Sequence, residues 1–166
     1  EPFADNVEHS GTVCFTPFFH VMGFCANFVF NLHARCRAFI LHRHETKLSP
    51  ALMLQAVKEL RPSCVNTIPY VVEGLVELVR SGESGAAAAL SSLHLLTYGG
   101  AALPPHCAPI LKDHGISVAC TYGQTELAGP VMFGKQGGDP NALRPLPGVK
   151  FELVRGPEDD EDEGEL

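Results

Sequence analysis

The chain has 166 residues, 45% hydrophobic and only 19% charged, enough apolar material for the core of one domain and too much for global disorder. Seven of its nineteen acids fall in residues 158–166, so residues 1–157 hold twelve acids against twelve Lys and Arg. That neutrality excludes the basic stripe of a nucleic-acid-binding surface, and the longest apolar stretch, near Phe24–Leu32, is broken by Asn27 and Asn31 and does not read as a membrane span.

Thirteen prolines and sixteen glycines fall between the apolar segments and read as many elements joined by tight turns. Thr12–Thr16 and Cys36–Leu41 are short β-prone runs, and Met22–Leu32 between them is apolar enough for a buried helix. Ser49-Pro50 opens a helix, with Ser as N-cap and Pro at the first helical position. Leu52, Ala56, Val57 and Leu60 mark its inner face, and Pro62 ends it. Ser63–Thr67 reads as a strand. A second helix starts at Pro69, turns Val72, Leu75, Val76 and Val79 inward, and stops at Ser81-Gly82; Gly85–Ala89 is a small-residue helical turn. Leu93–Tyr98 reads as a strand, Pro104–His114 as a helix ending at Gly115, and Ile116–Thr121 as the next strand. Short connections make that unit a right-handed parallel crossover. Gly129–Pro147, with four prolines and four glycines, reads as a loop, and Val149–Val154 as a last strand with Phe151 and Leu153 on one face. The alternation predicts an α/β fold, with a largely parallel sheet and flanking helices.

Six cysteines, at 14, 25, 36, 64, 107 and 120, include no C-x-x-C pair and lie mostly in apolar segments. They read as reduced, buried thiols, with a reactive thiol as the alternative, and they point to a reducing, cytoplasmic setting. The His42-Arg43-His44-Glu45 cluster has no Cys or His at finger spacing and reads as a solvated turn rather than a zinc site.

In a parallel sheet, loops leaving the carboxyl ends of the strands converge where ligands bind. Here those loops are Gly99-Gly100-Ala101 and Tyr122-Gly123-Gln124-Thr125-Glu126. Paired glycines let a ligand approach the backbone and its N–H groups, the Thr125 hydroxyl can bond a phosphate oxygen, and the Glu126 carboxylate is a hard oxygen ligand suited to Mg²⁺. Tyr122 offers an aromatic face to a base. A magnesium-nucleotide site and a pair of ordinary turns both fit these residues.

Thr121-Tyr122-Gly123-Gln124-Thr125-Glu126 resembles the Y-G-x-T-E signature of the adenylate-forming (AMP-binding) superfamily, which includes acyl- and aryl-CoA ligases, luciferases, peptide-synthetase adenylation domains and adenylating reductases. Three further segments agree in order. Pro17-Phe18-Phe19-His20-Val21-Met22-Gly23 resembles the family's P-x-F-H-x-x-G motif, Tyr98-Gly99-Gly100-Ala101-Ala102-Leu103-Pro104 its G-G-A-x-L-P segment, and Gly164-Glu165-Leu166 its G-E-L strand. The resemblance implies that Thr125 contacts the α-phosphate of ATP, that Glu126 holds Mg²⁺, and that Tyr122, Gly123, Gln124 and the Gly99-Gly100-Ala101 backbone flank the nucleotide and the acyl pocket. It further implies that His20, with Gly23 and Gly99, sits at the substrate carboxylate. The implied reaction is attack of a carboxylic acid on the α-phosphorus with release of pyrophosphate, then acyl transfer to coenzyme A or to a phosphopantetheine arm on a carrier-protein domain. His20 as a buried histidine satisfied by backbone, and Tyr122 as core filler, are the plain alternatives.

The family's phosphate loop should precede the His20 motif, its ribose-binding aspartate should follow Gly-Glu-Leu, and its small C-terminal domain carries a catalytic lysine; none is in this sequence. The expectation is therefore a partial adenylation domain over residues 1–166, an incomplete part of a larger N-terminal domain, with an acidic turn at 157–166 leading into a truncated strand. Such a piece is expected to be inactive alone. A non-catalytic nucleotide-binding or scaffold protein that kept the fold is the alternative function. The long 134–147 connection looks more like that of the branch using a carrier-domain acceptor.

Overall fold

The computed structural model describes residues 11–40, 48–135, 138–139 and 141–152. Strand β1 (Gly11–Cys14) leads into α1 (Val21–Phe24), which passes through a π-helical turn (Cys25–Val29) into α2 (Phe30–Ala34) and then β2 (Arg37–Phe39). Helix α3 (Pro50–Leu60), β3 (Cys64–Thr67), α4 (Pro69–Arg80), α5 (Ala86–Ser91), β4 (Leu95–Gly99), α6 (Cys107–Asp113) and β5 (Val118–Gln124) follow, and β6 (Gly129–Gly134) and β7 (Leu143–Pro145) complete the series. The strands form one seven-stranded sheet in the order β2-β1-β3-β4-β5-β6-β7. The pairings from β2 to β5 are parallel, and those of β5 with β6 and of β6 with β7 are antiparallel. The fold is thus α/β with a mixed sheet.

The two faces of the sheet differ in chemistry. Val13, Val65, Leu96 and Tyr98 lie on the face packed by α3 to α6, in one cluster with Met53, Leu75, Val76 and Leu111. Successive side chains alternate across a strand, so Cys14, Asn66, Thr97 and Gly99 lie on the other face. The α1–α2 segment packs there, with Met22 against Gly99. A polar row runs beneath it: the Cys14 thiol lies 3.9 Å from Asn66 Oδ1, and Asn66 Nδ2 donates to Thr97 Oγ1 at 2.9 Å.

Helices α3 and α4 follow the sequence reading closely. Ser49 Oγ accepts from the Leu52 N–H at 3.2 Å and Pro50 occupies the first turn. Val72, Leu75, Val76 and Val79 are buried. On α3 the inner face is Met53, Leu54, Ala56 and Val57, while Leu52 and Leu60 are only half-buried. Arg61 closes α3 with a left-handed φ of 47°, and Pro62 follows.

Four expectations are corrected. Gly129–Pro147 is not a loop throughout: β6 and β7 lie within it, because Gly129–Gly134 folds back along β5. For the same reason β5 runs three residues past Thr121 to Gln124, so Tyr122, Gly123 and Gln124 belong to a paired strand. The 22–32 helix is not buried all round. Cys25, Ala26, Asn27 and Asn31 face inward, while Phe24, Phe28, Phe30 and Leu32 are 46–68% exposed. Its π turn is closed by the Phe30 N–H bonding Cys25 O, reinforced by Asn31 Nδ2 donating to Ala26 O at 2.7 Å. Residues 149–152, finally, form no strand, and Phe151 is exposed. Residues 153–154, the His42–Glu45 cluster and the 157–166 turn lie outside the described residues.

Gly74 on α4 faces Pro50: a Cβ there would overlap Pro50 Cγ, an atom of a ring fixed in the first turn of α3. On propensity alone Gly→Ala inside a helix gains up to about 1 kcal/mol. Here Gly74→Ala is expected to lose about 1–3 kcal/mol by overpacking, read as a lower urea midpoint; a raised midpoint would refute the close α3–α4 contact.

Candidate active site

The carboxyl ends of β1, β4 and β5 lie along one edge of the sheet, and the three central motifs of the sequence leave from these ends. After β1 the chain turns through Pro17, with the His20 N–H bonded to Pro17 O at 3.0 Å, and enters α1. His20 is the N-cap. Its Nδ1 accepts from the Met22 N–H at 3.1 Å, which requires a neutral ring with its hydrogen on Nε2. The side chain is exposed rather than buried, so the ring is held by backbone through one nitrogen while the other remains a potential donor. Gly23 is buried, and a Cβ on it would overlap the carbonyl oxygens of Thr16 and Pro17. Its place in the motif is explained by helix α1 lying directly on the preceding loop.

Gly99 ends β4 in the same manner. A Cβ there would lie 2.7 Å from Thr121 Oγ1, 2.8 Å from Thr121 O and 3.3 Å from Met22 Cε. All three motifs therefore meet at one buried point: Met22 from the first, Gly99 from the second and Thr121 from the third. Thr121 Oγ1 donates to Tyr98 O at 3.2 Å, fastening β5 to β4 there. Gly100 follows with φ +96° and open space where a side chain would stand, so its backbone is accessible. Ala101 is exposed.

Tyr122 and Gln124 share a face of β5, and Gln124 Nε2 donates to Tyr122 Oη at 2.8 Å. Tyr122 is half-buried. Between Tyr122 and Gly123 the register with β6 shifts, leaving Val131 as the extra residue of a β-bulge. Gly123 lies so close to Gly129 O that no Cβ fits. Thr125–Leu127 then forms one exposed 3₁₀ turn, closed by Ala128 at φ 58°. The Cys25 thiol donates to Ala128 O at 3.3 Å, tying that turn to the π-helical segment. Thr125 and Glu126 thus sit on a turn anchored at both ends.

No group of three His, Cys, Asp or Glu side chains that could hold a metal occurs among the described residues. Glu126 stands as a single exposed carboxylate. Mg²⁺ is commonly held by one or two carboxylates together with substrate phosphates, so this donor set fits a nucleotide-borne ion and does not fit an all-protein metal cage. All six cysteines are unpaired. Burial pushes the thiols of Cys14, Cys107 and Cys120 up, and burial together with the neighbouring Cys36 pushes Cys64 up to about 11; these four are not activated nucleophiles. A surface cavity lined by Lys58, Arg61 and His94 opens at the amino ends of β3 and β4, the edge opposite the motif loops.

Two functional-looking features were missed in the sequence. Asn27, 3% exposed, donates through Nδ2 to Thr16 O at 3.5 Å, while its Oδ1 has no partner among the described residues. Asn141 bonds the loop after β4. The signal for Asn27 was present, since Asn27 and Asn31 interrupt an apolar run four residues apart and share the sheet-facing side of the helix. Asn141 gave none, because it lies in a Gly- and Pro-rich segment without periodicity.

The glycine loops and the Thr-Glu turn converge at the carboxyl edge of the sheet, the place where open α/β sheets bind ligands. The model of the family described as AMP-binding enzyme matches residues 3–166, and the chain belongs to that family of adenylate-forming enzymes. No curated protein matches. Among solved structures, a malonyl-CoA ligase with methylmalonyl-CoA and AMP bound is similar at a TM-score of 0.69 and 24% identity, over 88% of this chain and 31% of that one. A variant of E. coli MenE with bound OSB-AMS gives 0.67 and 26%, over 93% and 30%. The O-succinylbenzoate coenzyme A synthetase MenE from Bacillus subtilis, in complex with ATP and magnesium, gives 0.68 and 17%, over 89% and 30%. The chain spans about a third of the length of these structures.

His20→Ala is expected to cost about 1 kcal/mol through the lost cap, whereas His20→Asn, which can cap in its place, stays within about 0.5 kcal/mol of the parent. Chemical denaturation reads both. An alanine variant as stable as the parent would show that the Met22 N–H is satisfied without the imidazole.

Proposed function

We propose that this chain supplies one wall of the active site of an ATP-dependent carboxylate-adenylating enzyme. The observation that carries the reading is the meeting of Met22, Gly99 and Thr121 at one point, which draws the His20 helix cap, the open Gly100 backbone and the Thr125–Glu126 turn to the same edge of the sheet.

The roles follow from chemistry at each position. Thr125, on the exposed turn, offers its hydroxyl to the α-phosphate. Glu126 would hold Mg²⁺ jointly with phosphate oxygens, and the ion neutralises charge on the phosphates. The backbone of Gly99, Gly100 and Ala101, with Tyr122, Gly123 and Gln124 on the end of β5 opposite the β6 bulge, flanks the adenine and the acyl group. His20, neutral and capping α1, can present Nε2–H to the substrate carboxylate, with Gly23 setting how closely α1 lies on the loop beneath. Attack of that carboxylate on the α-phosphorus forms the mixed anhydride and expels pyrophosphate. Positioning and charge stabilisation dominate the catalysis of such a step. The acyl group then passes to a thiol, either coenzyme A or the phosphopantetheine arm of a carrier-protein domain. Six unpaired cysteines favour a reducing, cytoplasmic setting. Among the described residues no helix is long and apolar enough to cross a membrane.

The test is ATP-dependent pyrophosphate release by the full-length gene product over a panel of carboxylic acids. Release with some acids is expected, falling about 10²- to 10³-fold in Glu126→Ala, the scale of one lost electrostatic stabiliser. The 166-residue chain by itself is expected to release little or none. Silence of the full-length protein with ATP still bound would favour the non-catalytic nucleotide-binding reading.

A further inference from the structure

One side chain holds the loop after β4 from the far side of the β5–β6 hairpin. Asn141 Oδ1 accepts two hydrogen bonds at 2.8 Å, from the Leu103 N–H and from the Tyr98 hydroxyl, and its Nδ2 donates to Leu103 O at 3.0 Å. The orientation of the amide is settled by chemistry, because the Leu103 N–H can only donate and the atom facing it must be oxygen. Asn141 is itself braced: its N–H donates to Asp139 Oδ1 at 2.9 Å. The two residues it grips belong to the core, Tyr98 being fully buried and Leu103 2% exposed. Burial holds the Tyr98 phenol well above its ordinary range, followed by the charge of Cys120, so it stays a neutral donor. Gly99 is fixed at one end of the loop by the ladder with Thr121, and Leu103 is fixed at the other by Asn141. Gly100, Ala101 and Ala102 form an arch of three residues between two clamps.

We infer that Asn141 is a positioning residue for the nucleotide loop: its side-chain amide, by pairing with both backbone groups of Leu103, sets the height of the Gly100–Ala102 arch. The inference rests on the adenylating reading only in naming the ligand of that arch; the latch itself is independent of it. Without the amide, Leu103 N–H and O, both shielded, lose their partners, and the arch gains freedom that a nucleotide must remove on binding.

Two variants of the full-length gene product separate the latch from general stability. Asn141→Ala removes all three side-chain bonds. Asn141→Asp keeps an acceptor for the Leu103 N–H but sets a carboxylate against Leu103 O. In Asn141→Ala, hydrogen exchange at the Leu103 amide is expected to accelerate about tenfold or more, the scale of a shielded group left unpaired. The amides of Val65 and Leu96 should keep their parental rates. In Asn141→Asp the Leu103 amide should remain slow. The dissociation constant of ATP–Mg²⁺, measured by calorimetry, should rise about tenfold in Asn141→Ala for the same reason. Unchanged Leu103 exchange, equal acceleration in Asp and Ala, or acceleration together at Val65 and Leu96 would each overturn the latch. Accelerated exchange with unaltered ATP affinity would overturn the positioning role alone. A parent protein that binds no ATP would overturn the adenylating reading, and the positioning role with it, whatever the exchange shows.

Discussion

The edge of the sheet depends on backbone approaching its neighbours more closely than a Cβ allows. It happens at Gly23 against the carbonyls of Thr16 and Pro17, at Gly99 against Thr121, and at Gly123 against Gly129. None of the three has a left-handed φ, so what makes glycine necessary is space rather than conformational freedom. The Gly99 contact fastens one motif to another, while the other two press α1 onto its own loop and β5 onto β6; together they bring α1, the end of β4 and the end of β5 within one side chain of each other. A methyl group at any of them would separate pieces of the site by displacing whole elements, which is costly in an interior packed as tightly as a crystal.

This constraint explains which parts of the molecule could be read from sequence. Helix α3 carries a local cap, and α3 and α4 both open on proline and carry local apolar spacing, so Ser49, Pro50 and the Val72–Val79 face were legible without tertiary information. The glycines at 99, 100 and 123 were legible as a pattern, but a pattern cannot distinguish a loop from a bulged strand. Tyr122 to Gln124 are strand because β6 returns to pair with them, and that return lies in a segment whose prolines and glycines mask any period of two. The π turn was illegible because its extra residue is absorbed by a tertiary need: Cys25 and Asn27 must both reach the sheet side.

The two faces of the sheet also do different work. The side under α3 to α6 is a conventional apolar core, and it gives the strands a rigid support. The side under α1 and α2 is built from small and amide side chains, with Cys14, Asn66 and Thr97 joined by hydrogen bonds and Asn27 Oδ1 left over. Polar groups in such a row impose geometry, since a group that loses its partner incurs the cost of its desolvation. That Met22, Gly99 and Thr121 meet on this second side fits the division: one face holds the fold together, and the other fixes distances. The large phenylalanines of the same helix point the opposite way, toward its exposed flank.

The π turn within that helix also bears on kinship. An α-helix advances by 100° per residue, so a turn that accommodates one additional residue returns the downstream half, Phe30–Ala34, to the orientation it would have had without it. A residue added within such a turn is absorbed by the helix without being passed on to the loops. A relative with an unbroken helix here is therefore to be aligned with a single gap inside Cys25–Val29, and placing that gap in the flanking turns instead would set Asn31 opposite a residue of the outer face.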